Sequence, residues 1–136
     1  MSIIKLYTDG SCINNPGSGG WAFIMIDNDG NELYLSGCET FTTNNRMELK
    51  AVIEGLKLIN DIDFCTIYSD SKLVINCASG LWKRNKNLDL WKEYDDLSKT
   101  KKNIKFEWVK GHNGDYYNDF VDKLAFEEAK KKNDLK

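Results

Sequence analysis

The chain has 136 residues, of which 41% are hydrophobic and 29% are charged. This length and composition predict one folded domain, residues 1–136, with a complete core. Its apolar runs fall short of the roughly 20 residues that a membrane-spanning helix needs. The N-terminus lacks the long apolar region of a signal peptide, so we expect a cytoplasmic protein. The net charge of −2 gives no indication of nucleic-acid binding through bulk charge.

Cysteine and lysine residues supply no functional signal by their spacing. The four cysteines lack the C-x-x-C pattern of a zinc ribbon or a redox motif, and we expect them to be thiols: Cys12, Cys38, Cys65 and Cys77. The lysines cluster in two runs, which are typical of solvated helix ends: 99–102 and 130–136.

The first third of the chain predicts three strands. Residues 3–8 are apolar and β-prone, and residues 14–20 follow as a loop rich in glycine and asparagine. Residues 21–26 form a second strand, and residues 32–36 form a third. The Asp29-Gly30 step between them predicts an antiparallel hairpin.

The middle of the chain predicts a helix, a strand and a shorter helix. Residues 42–45 offer several N-caps, and the apolar residues that follow, up to Ile59, have helical spacing. Residues 64–69 read as the fourth strand, and residues 71–78 as a short helix.

The last part of the chain begins with a polar and basic connection, residues 80–87. A helix over 88–99 and a fifth strand over 104–109 follow. A glycine-bounded loop at 111–114 then leads to a final helix over 116–132.

The element order β-β-β-α-β-α-α-β-α predicts an α/β fold. Its sheet is expected to be mixed and five-stranded, with three antiparallel strands, then two parallel strands, and flanking helices. The crossover from the first strand to the fourth is a βαβ unit, which makes these two strands parallel. The carboxyl end of the first strand is then a topological switch point, where open α/β sheets place their sites.

Two aspartates end matching strands at this switch point. Leu6-Tyr7-Thr8-Asp9-Gly10 and Ile67-Tyr68-Ser69-Asp70-Ser71 each bring an apolar run to an aspartate and a small residue. In parallel neighbouring strands, Asp9 and Asp70 would lie side by side on the same face. Adjacent carboxylates repel unless a proton or a divalent cation lies between them. The repeat therefore predicts a metal site.

Two further acids are candidates for this site. Glu48 lies in the first turn of the long helix, where an ordinary acid is also favoured by the helix dipole. With two aspartates at the same edge, the metal interpretation is the better one. In the last helix Asp122 shares a ridge with Ala125, whereas Asp115 and Asp119 are expected at the surface or as caps. Periodicity alone leaves the choice among these three acids open.

His112 is the only histidine and lies in a glycine-bounded turn ten residues before Asp122. A lone histidine in a loop is usually structural or incidental. Between a strand at the sheet edge and a helix that carries a candidate ligand, it is also suited to shuttle protons, since its ordinary pKa is near 6.5.

Taken together, these residues resemble the ribonuclease H type 1 family. The matching segments run in the same order over nearly the whole chain: Tyr7 to Cys12, Asn15-Pro16-Gly17, Thr42-Thr43-Asn44-Asn45-Arg46-Met47-Glu48-Leu49, Ser69-Asp70-Ser71, Trp108-Val109-Lys110-Gly111-His112-Asn113-Gly114 and Asn118 to Ala125. The segment from Thr42 to Leu49 and the Val-Lys-Gly-His segment are highly specific in combination. The resemblance implies a ribonuclease H-like fold.

The resemblance also implies a role for each matching residue. Asp9, Glu48, Asp70 and Asp122 would hold two Mg²⁺ ions, with Mn²⁺ as a possible substitute, and His112 would assist proton movement or product departure. The implied activity is endonucleolytic hydrolysis of the RNA strand of an RNA–DNA hybrid, leaving 5′-phosphate and 3′-hydroxyl ends. The contacts to the hybrid would come from five residues: Cys12, Asn15, Thr43, Asn44 and Asn45. We expect a monomer without an obligatory protein partner.

The chain departs from well-known bacterial members in the connection over 80–87, which is shorter than their basic, Trp-rich protrusion. Trp82 and three basic residues remain in this stretch, and Trp82 is an expected substrate contact. We therefore expect weaker hybrid binding that is strongly sensitive to salt.

Two alternatives remain. A nuclease of the same fold could act on duplex DNA, and the surface formed by Cys12, Asn15 and Asn44-Asn45-Arg46 would discriminate between the two substrates. A non-catalytic hybrid-binding module is the other alternative, and the presence of all four carboxylates argues against it.

Overall fold

The computed structural model describes residues 2–111 and 114–133. Nine elements follow one another in the predicted order: β1 (Ile3–Cys12), β2 (Gly17–Ile26), β3 (Glu32–Thr42), α1 (Asn44–Leu56), β4 (Phe64–Ser69), α2 (Lys72–Ala78), α3 (Leu88–Ser98), β5 (Ile104–Trp108) and α4 (Tyr116–Asn133). Within the described ranges, the helices are all too short or too polar to cross a membrane.

The five strands form one mixed sheet in the order β3-β2-β1-β4-β5. The pairs β3-β2 and β2-β1 are antiparallel, and the pairs β1-β4 and β4-β5 are parallel. The predicted fold class is confirmed. Strand β1 lies at the centre, with its antiparallel partner on one side and its parallel partner on the other.

The antiparallel strands are longer than the sequence predicts. The prediction of a loop over 14–20 is wrong in its second half, because β2 already begins at Gly17. Gly19 and Gly20 belong to β2 and pair with Cys12 and Ser11. A Cβ added to Gly20 would lie 2.3 Å from the carbonyl oxygen of Ala125 in α4. Gly20 therefore serves close packing of α4 on the sheet, and not a turn.

Side chains of the central strand alternate between two apolar layers. Leu6 is fully buried on the side of α1, where it packs with Phe23 and Ile53. Tyr7 points to the opposite side, where it packs with Val121 of α4. Period-two alternation along β1 thus places one helix layer on each face of the sheet.

The long helix begins where the sequence predicts and ends before the last apolar residue of its pattern. The Thr43 side chain caps α1 by accepting a hydrogen bond from the Arg46 N–H. The helix ends at Leu56, and Ile59 is buried by a turn that follows it. The start of α1 is therefore firmly held next to the end of β3.

Candidate active site

The register of β1 and β4 brings Asp9 and Asp70 to matching positions. The last residues that these parallel strands pair are Tyr7 and Tyr68, and each aspartate follows two residues later. Strand β1 does not end at Asp9 as expected, because it continues to Cys12 and pairs Asp9 with Ala22 of β2. Asp70, in contrast, lies just beyond the end of β4.

Glu48 reaches the two aspartates from the start of α1. Its side chain is buried, and one of its carboxylate oxygens lies within 4.8 Å of an oxygen from Asp9 and another from Asp70. Gly10 makes this approach possible, since a Cβ there would lie 2.3 Å from the backbone nitrogen of Glu48. The sequence predicted Glu48 in the first turn of the long helix as a candidate ligand, and the structure brings its carboxylate next to those of Asp9 and Asp70.

Asp122 adjoins the cluster at Asp9, because its side chain interacts with the Asp9 carboxyl group and contributes to raising the pKa of Asp9. The close packing of α4 on Gly20 sets the distance between this helix and the sheet. Of the other acids nearby, Asp115 accepts a hydrogen bond from the Asn118 N–H at 3.0 Å, which caps the helix, and Asp119 is exposed. Of these three acids, Asp122 is therefore the one in contact with the carboxylate cluster.

Burial and mutual repulsion make this cluster costly when it is ionised. Burial, with contributions from Asp70 and Asp122, raises the pKa of Asp9 to about 8. Burial and the neighbouring Asp9 raise the pKa of Glu48 well above its ordinary value. The Oε2 atom of Glu48 is buried and has no hydrogen-bond partner among the described residues. Several hard oxygen donors with an unsatisfied buried atom fit a divalent cation such as Mg²⁺ or Mn²⁺.

The predicted proton shuttle, His112, lies outside the described residues. The chain that leads to it passes next to the cluster, since a Cβ added to Gly111 would lie 2.9 Å from the Oδ2 atom of Asp70. A glycine at this position allows the backbone to approach a carboxylate.

Four of the predicted substrate contacts form a continuous strip at the start of α1. The Asn15 side chain accepts a hydrogen bond from the Asn44 N–H at 3.0 Å, which ties the loop after β1 to the helix. The Cys12 thiol lies 3.4 Å from the carbonyl oxygen of Thr42, next to the capping residue Thr43. Backbone and side-chain polar groups of these residues thus lie together at the start of α1, the helix that carries Glu48.

Asn45 extends this strip into a groove of about 210 Å³. The groove has an apolar floor and a basic rim, and its lining comes from α1, α2, the 80–87 connection and α3. Lys83 and Lys86 contribute to the rim, and Trp91 to the floor. Trp82 is 45% exposed and is not among the lining residues. The structure therefore brings Asn45 to the groove, but not Trp82.

Two arginines expected to face the substrate form ion pairs within the protein. Arg46 makes a two-pronged contact with Asp89, with distances of 2.8 and 3.0 Å, and this ties α1 to α3. Arg84 pairs with Asp95 at 2.7 Å, and its guanidinium lies 4.3 Å from the centre of the Trp91 ring. Sequence spacing carries no signal for these contacts, since the partners of Arg46 are more than 40 positions away.

Two more residues beside the carboxylates were missed as individual candidates, although both fall within motif segments. Asn118 lies one turn before Asp122 in α4, and its side chain is buried with no partner for either amide atom among the described residues. The Trp108 indole donates a hydrogen bond to the Asp70 carbonyl oxygen at 3.1 Å.

Comparison with known proteins places this site in a family. The family model described as RNase H matches residues 1–130. A Ribonuclease H of Caldicellulosiruptor saccharolyticus is 43% identical over 92% of this chain and 94% of its own length. A Ribonuclease HI of Campylobacter jejuni is 44% identical over 96% of this chain and 94% of its own length.

Solved structures with the same fold agree with this assignment. The N-terminal RNase H domain of a Mycobacterium tuberculosis protein, fused to maltose binding protein, superposes with a TM-score of 0.87 at 25% identity and 99% coverage of both chains. LC11-RNase H1 in complex with an RNA/DNA hybrid gives a TM-score of 0.80 at 25% identity, with 94% of this chain and 97% of that chain covered. The chain therefore belongs to the RNase H family of endoribonucleases.

Proposed function

We propose that this protein is an endonuclease that hydrolyses the RNA strand of RNA–DNA hybrids with two Mg²⁺ ions, for which Mn²⁺ can substitute. The products would carry 5′-phosphate and 3′-hydroxyl ends. The observation that carries the proposal is the convergence of Asp9, Glu48 and Asp70, whose carboxylate oxygens lie within 4.8 Å of one another. Asp122 adjoins this cluster at Asp9. Family membership and the hybrid complex of a structural neighbour support the substrate class.

The four carboxylates are proposed to hold the ions between the sheet and the substrate. When bound, such ions supply an activated water and neutralise the charge that develops on the phosphodiester. Asp9 and Glu48 are buried and close the inner side of the site, whereas Asp70 and Asp122 are half-buried. The side with Asp70 and Asp122 is therefore the one that faces the scissile phosphate.

The strip at the start of α1 is proposed to bind the hybrid. Asn15, Thr43 and Asn44 would contact its minor groove and backbone, together with Cys12 and Asn45. Recognition of RNA requires donors and acceptors that reach the 2′-hydroxyl across a wide minor groove, and asparagine side chains supply both. For His112 we propose proton transfer or assistance to product departure, and for Trp82 an outer contact with the hybrid.

We further propose that residues 1–136 act as a single domain, as a monomer without an obligatory protein partner. A cytoplasmic location is supported by the four cysteines, which are all thiols.

The proposal is tested by cleavage of end-labelled RNA–DNA hybrid, duplex DNA and duplex RNA, each with Mg²⁺ and with a chelator. We expect cleavage of the RNA strand of the hybrid alone, and only with the ion. Preference for duplex DNA would favour the alternative of a nuclease with the same fold that acts on duplex DNA. Binding of the hybrid without any cleavage would favour the non-catalytic module.

Variants of the carboxylates assign the chemistry to this site. Asp9→Asn and Asp70→Asn should each lower the cleavage rate by about 100-fold or more, since loss of a ligand costs more than loss of a supporting partner. Asp119→Asn is the matched control, because Asp119 is an exposed acid in the helix that carries Asp122. Unchanged cleavage in Asp9→Asn would exclude the proposed site.

A further inference from the structure

Asp70 differs from the other carboxylates of the cluster in how its backbone is held. Asp9 lies inside β1 and is paired with β2, while Glu48 and Asp122 lie within helices. Asp70 occupies the bend between β4 and α2, two residues beyond the last pair that β4 makes with β1. The position of its carboxylate therefore depends on contacts that restrain this bend.

Three hydrogen bonds restrain the bend, two from the β5 side and one within the bend itself. The Val109 N–H donates to the Ser69 carbonyl oxygen at 2.9 Å, which extends the strand contact by one step. The Ser71 N–H donates to the Ser69 hydroxyl at 3.1 Å. The indole N–H of Trp108 donates to the carbonyl oxygen of Asp70 itself at 3.1 Å. The indole thus adds a side-chain contact to the peptide unit that carries the candidate ligand.

The Trp108 ring is an unusual choice for a purely structural role. It is 46% exposed, so it contributes less to the core than a buried tryptophan such as Trp91. The ammonium group of Lys72 lies 4.6 Å from the centre of the ring and holds it by a cation–π contact. Lys72 opens α2, directly after the bend, so that ring and bend are connected at two points.

We propose that Trp108 is a positioning residue for Asp70. Its indole N–H fixes the Asp70 peptide unit, so that the Asp70 carboxylate stays close to those of Asp9 and Glu48. Lys72 keeps the ring in the orientation that this hydrogen bond needs. The inference rests on the proposed function, because it takes Asp70 as a metal ligand.

The test is metal binding by the intact protein in the absence of nucleic acid. Mn²⁺ is titrated by calorimetry into the wild type, Trp108→Phe, Asp70→Asn and Trp21→Phe. Trp108→Phe keeps an aromatic ring and removes the N–H. We expect its dissociation constant for Mn²⁺ to rise by about three- to tenfold, which is the range of one neutral hydrogen bond. Trp21→Phe is the matched control, since its ring packs over Gly37 on the outer strand.

Hybrid cleavage as a function of Mg²⁺ concentration gives a second readout. In Trp108→Phe the Mg²⁺ concentration for half-maximal rate should rise, while the rate at saturating Mg²⁺ returns close to that of the wild type. If Trp108 served stability alone, Trp108→Phe would lower the melting temperature. The Mn²⁺ dissociation constant and the Mg²⁺ concentration for half-maximal rate, the two metal midpoints, would then stay unchanged. Lys72→Met should shift the Mn²⁺ midpoint in the same direction as Trp108→Phe, and by less.

The outcomes separate this inference from the proposed function. If Asp70→Asn abolishes Mn²⁺ binding and cleavage while Trp108→Phe keeps both midpoints within twofold of the wild type, Trp108 is not a positioning residue. If Asp70→Asn itself binds Mn²⁺ and cleaves like the wild type, the proposed metal site is wrong and the inference is overturned with it.

Discussion

Asp9 and Glu48 are acids that the fold buries with partners of the same charge. Their pKa values are raised because burial disfavours the ionised forms and the neighbouring carboxylates add repulsion. A fold that keeps such groups together gives up stability at neutral pH, and a divalent cation bound at the proposed site would restore it. This cost is measurable without substrate.

In the presence of a chelator, the free energy of unfolding should fall as the pH rises from about 4 to about 8. The pKa of Asp9 is raised from 3.8 to about 8 in the folded state, so its contribution to stability is complete below the unfolded pKa and is lost as the pH rises through the folded pKa. Since one pKa unit corresponds to about 1.4 kcal/mol, the loss should exceed 1 kcal/mol, as measured by urea denaturation. Mg²⁺ should stabilise the protein more at pH 8 than at pH 6.

The control for this pH dependence is Asp9→Asn, which removes the titrating group. Its stability should change less between pH 4 and pH 8 than that of the wild type. Equal slopes in the two proteins would contradict the raised pKa of Asp9.

Asn118 offers a second test at the level of one residue. Both atoms of its buried amide lack partners among the described residues, and an unsatisfied buried polar group costs about 1–3 kcal/mol. Asn118→Leu should therefore raise the free energy of unfolding by about 1 kcal/mol. Asn118→Asp, which adds a carboxylate one turn from Asp122, should lower it. Destabilisation by leucine would show that the amide is satisfied in solution.

Single residues also show where the sequence was sufficient for the site. Asp9 and Asp70 were predicted as neighbours because strand register follows from local patterns and from the handedness of the crossover. Glu48 was selected over an ordinary helix acid only because two aspartates point to the same edge of the sheet. Asp122 was selected among three nearby acids only through the family resemblance. The ion pair of Arg46 with Asp89 was not predictable, because it depends on how α3 packs against α1.

At the level of elements, prediction was accurate where boundaries are set by local chemistry. β4 has the predicted bounds, and α2 begins after the cap Ser71, whose hydroxyl accepts from Val74. Prediction failed at the start of β2, where glycines normally indicate a loop. The role of Gly20 is set by contact with α4, more than 100 positions away, and such contacts leave no local pattern.

Gly20→Ala tests whether α4 must approach the sheet this closely. The new Cβ would lie 2.3 Å from the Ala125 carbonyl oxygen and 2.6 Å from the Ala129 nitrogen, and backbone atoms cannot rotate away. We expect a loss of about 2–3 kcal/mol in the free energy of unfolding, as for an overpacked core. Cleavage should also fall at temperatures where the variant is folded, because α4 carries Asp122.

The matched control is Gly80→Ala. Gly80 has a φ of +82° and open space around the position of a Cβ, so the change costs only the left-handed conformation. That cost is about 1 kcal/mol. A larger effect at Gly80 than at Gly20 would show that helix packing does not explain the glycine in β2.

For the whole molecule, the proposed binding of the hybrid has to rely on local charge, because the net charge is −2. The groove beside α1 has three basic residues from the 80–87 connection, and Arg84 is paired with Asp95. Lys83 and Lys86 are exposed and form no ion pair with the residues that the structure describes. These two lysines are therefore the phosphate contacts we expect in this region.

The double variant Lys83→Gln/Lys86→Gln should weaken hybrid binding and reduce its salt dependence. Each lost phosphate contact lowers the slope of log K against log salt by about 1. Arg84→Gln should leave this slope nearly unchanged and lower the melting temperature, because it breaks an internal contact. Fluorescence anisotropy of labelled hybrid at several salt concentrations measures the slopes. Equal slopes for the wild type and the double variant would exclude the two lysines as contacts.

The equal distance of Asp9 and Asp70 from the last shared pair of β1 and β4 has a consequence for molecular evolution. Because side chains alternate along a strand, inserting or deleting one residue before either aspartate would turn its carboxylate to the opposite face. Such a change would remove a proposed metal ligand without altering any acidic residue. Insertions in the connection after α2 leave both strands untouched. Selection should therefore tolerate changes of length there, and reject them in the segments 3–9 and 64–70.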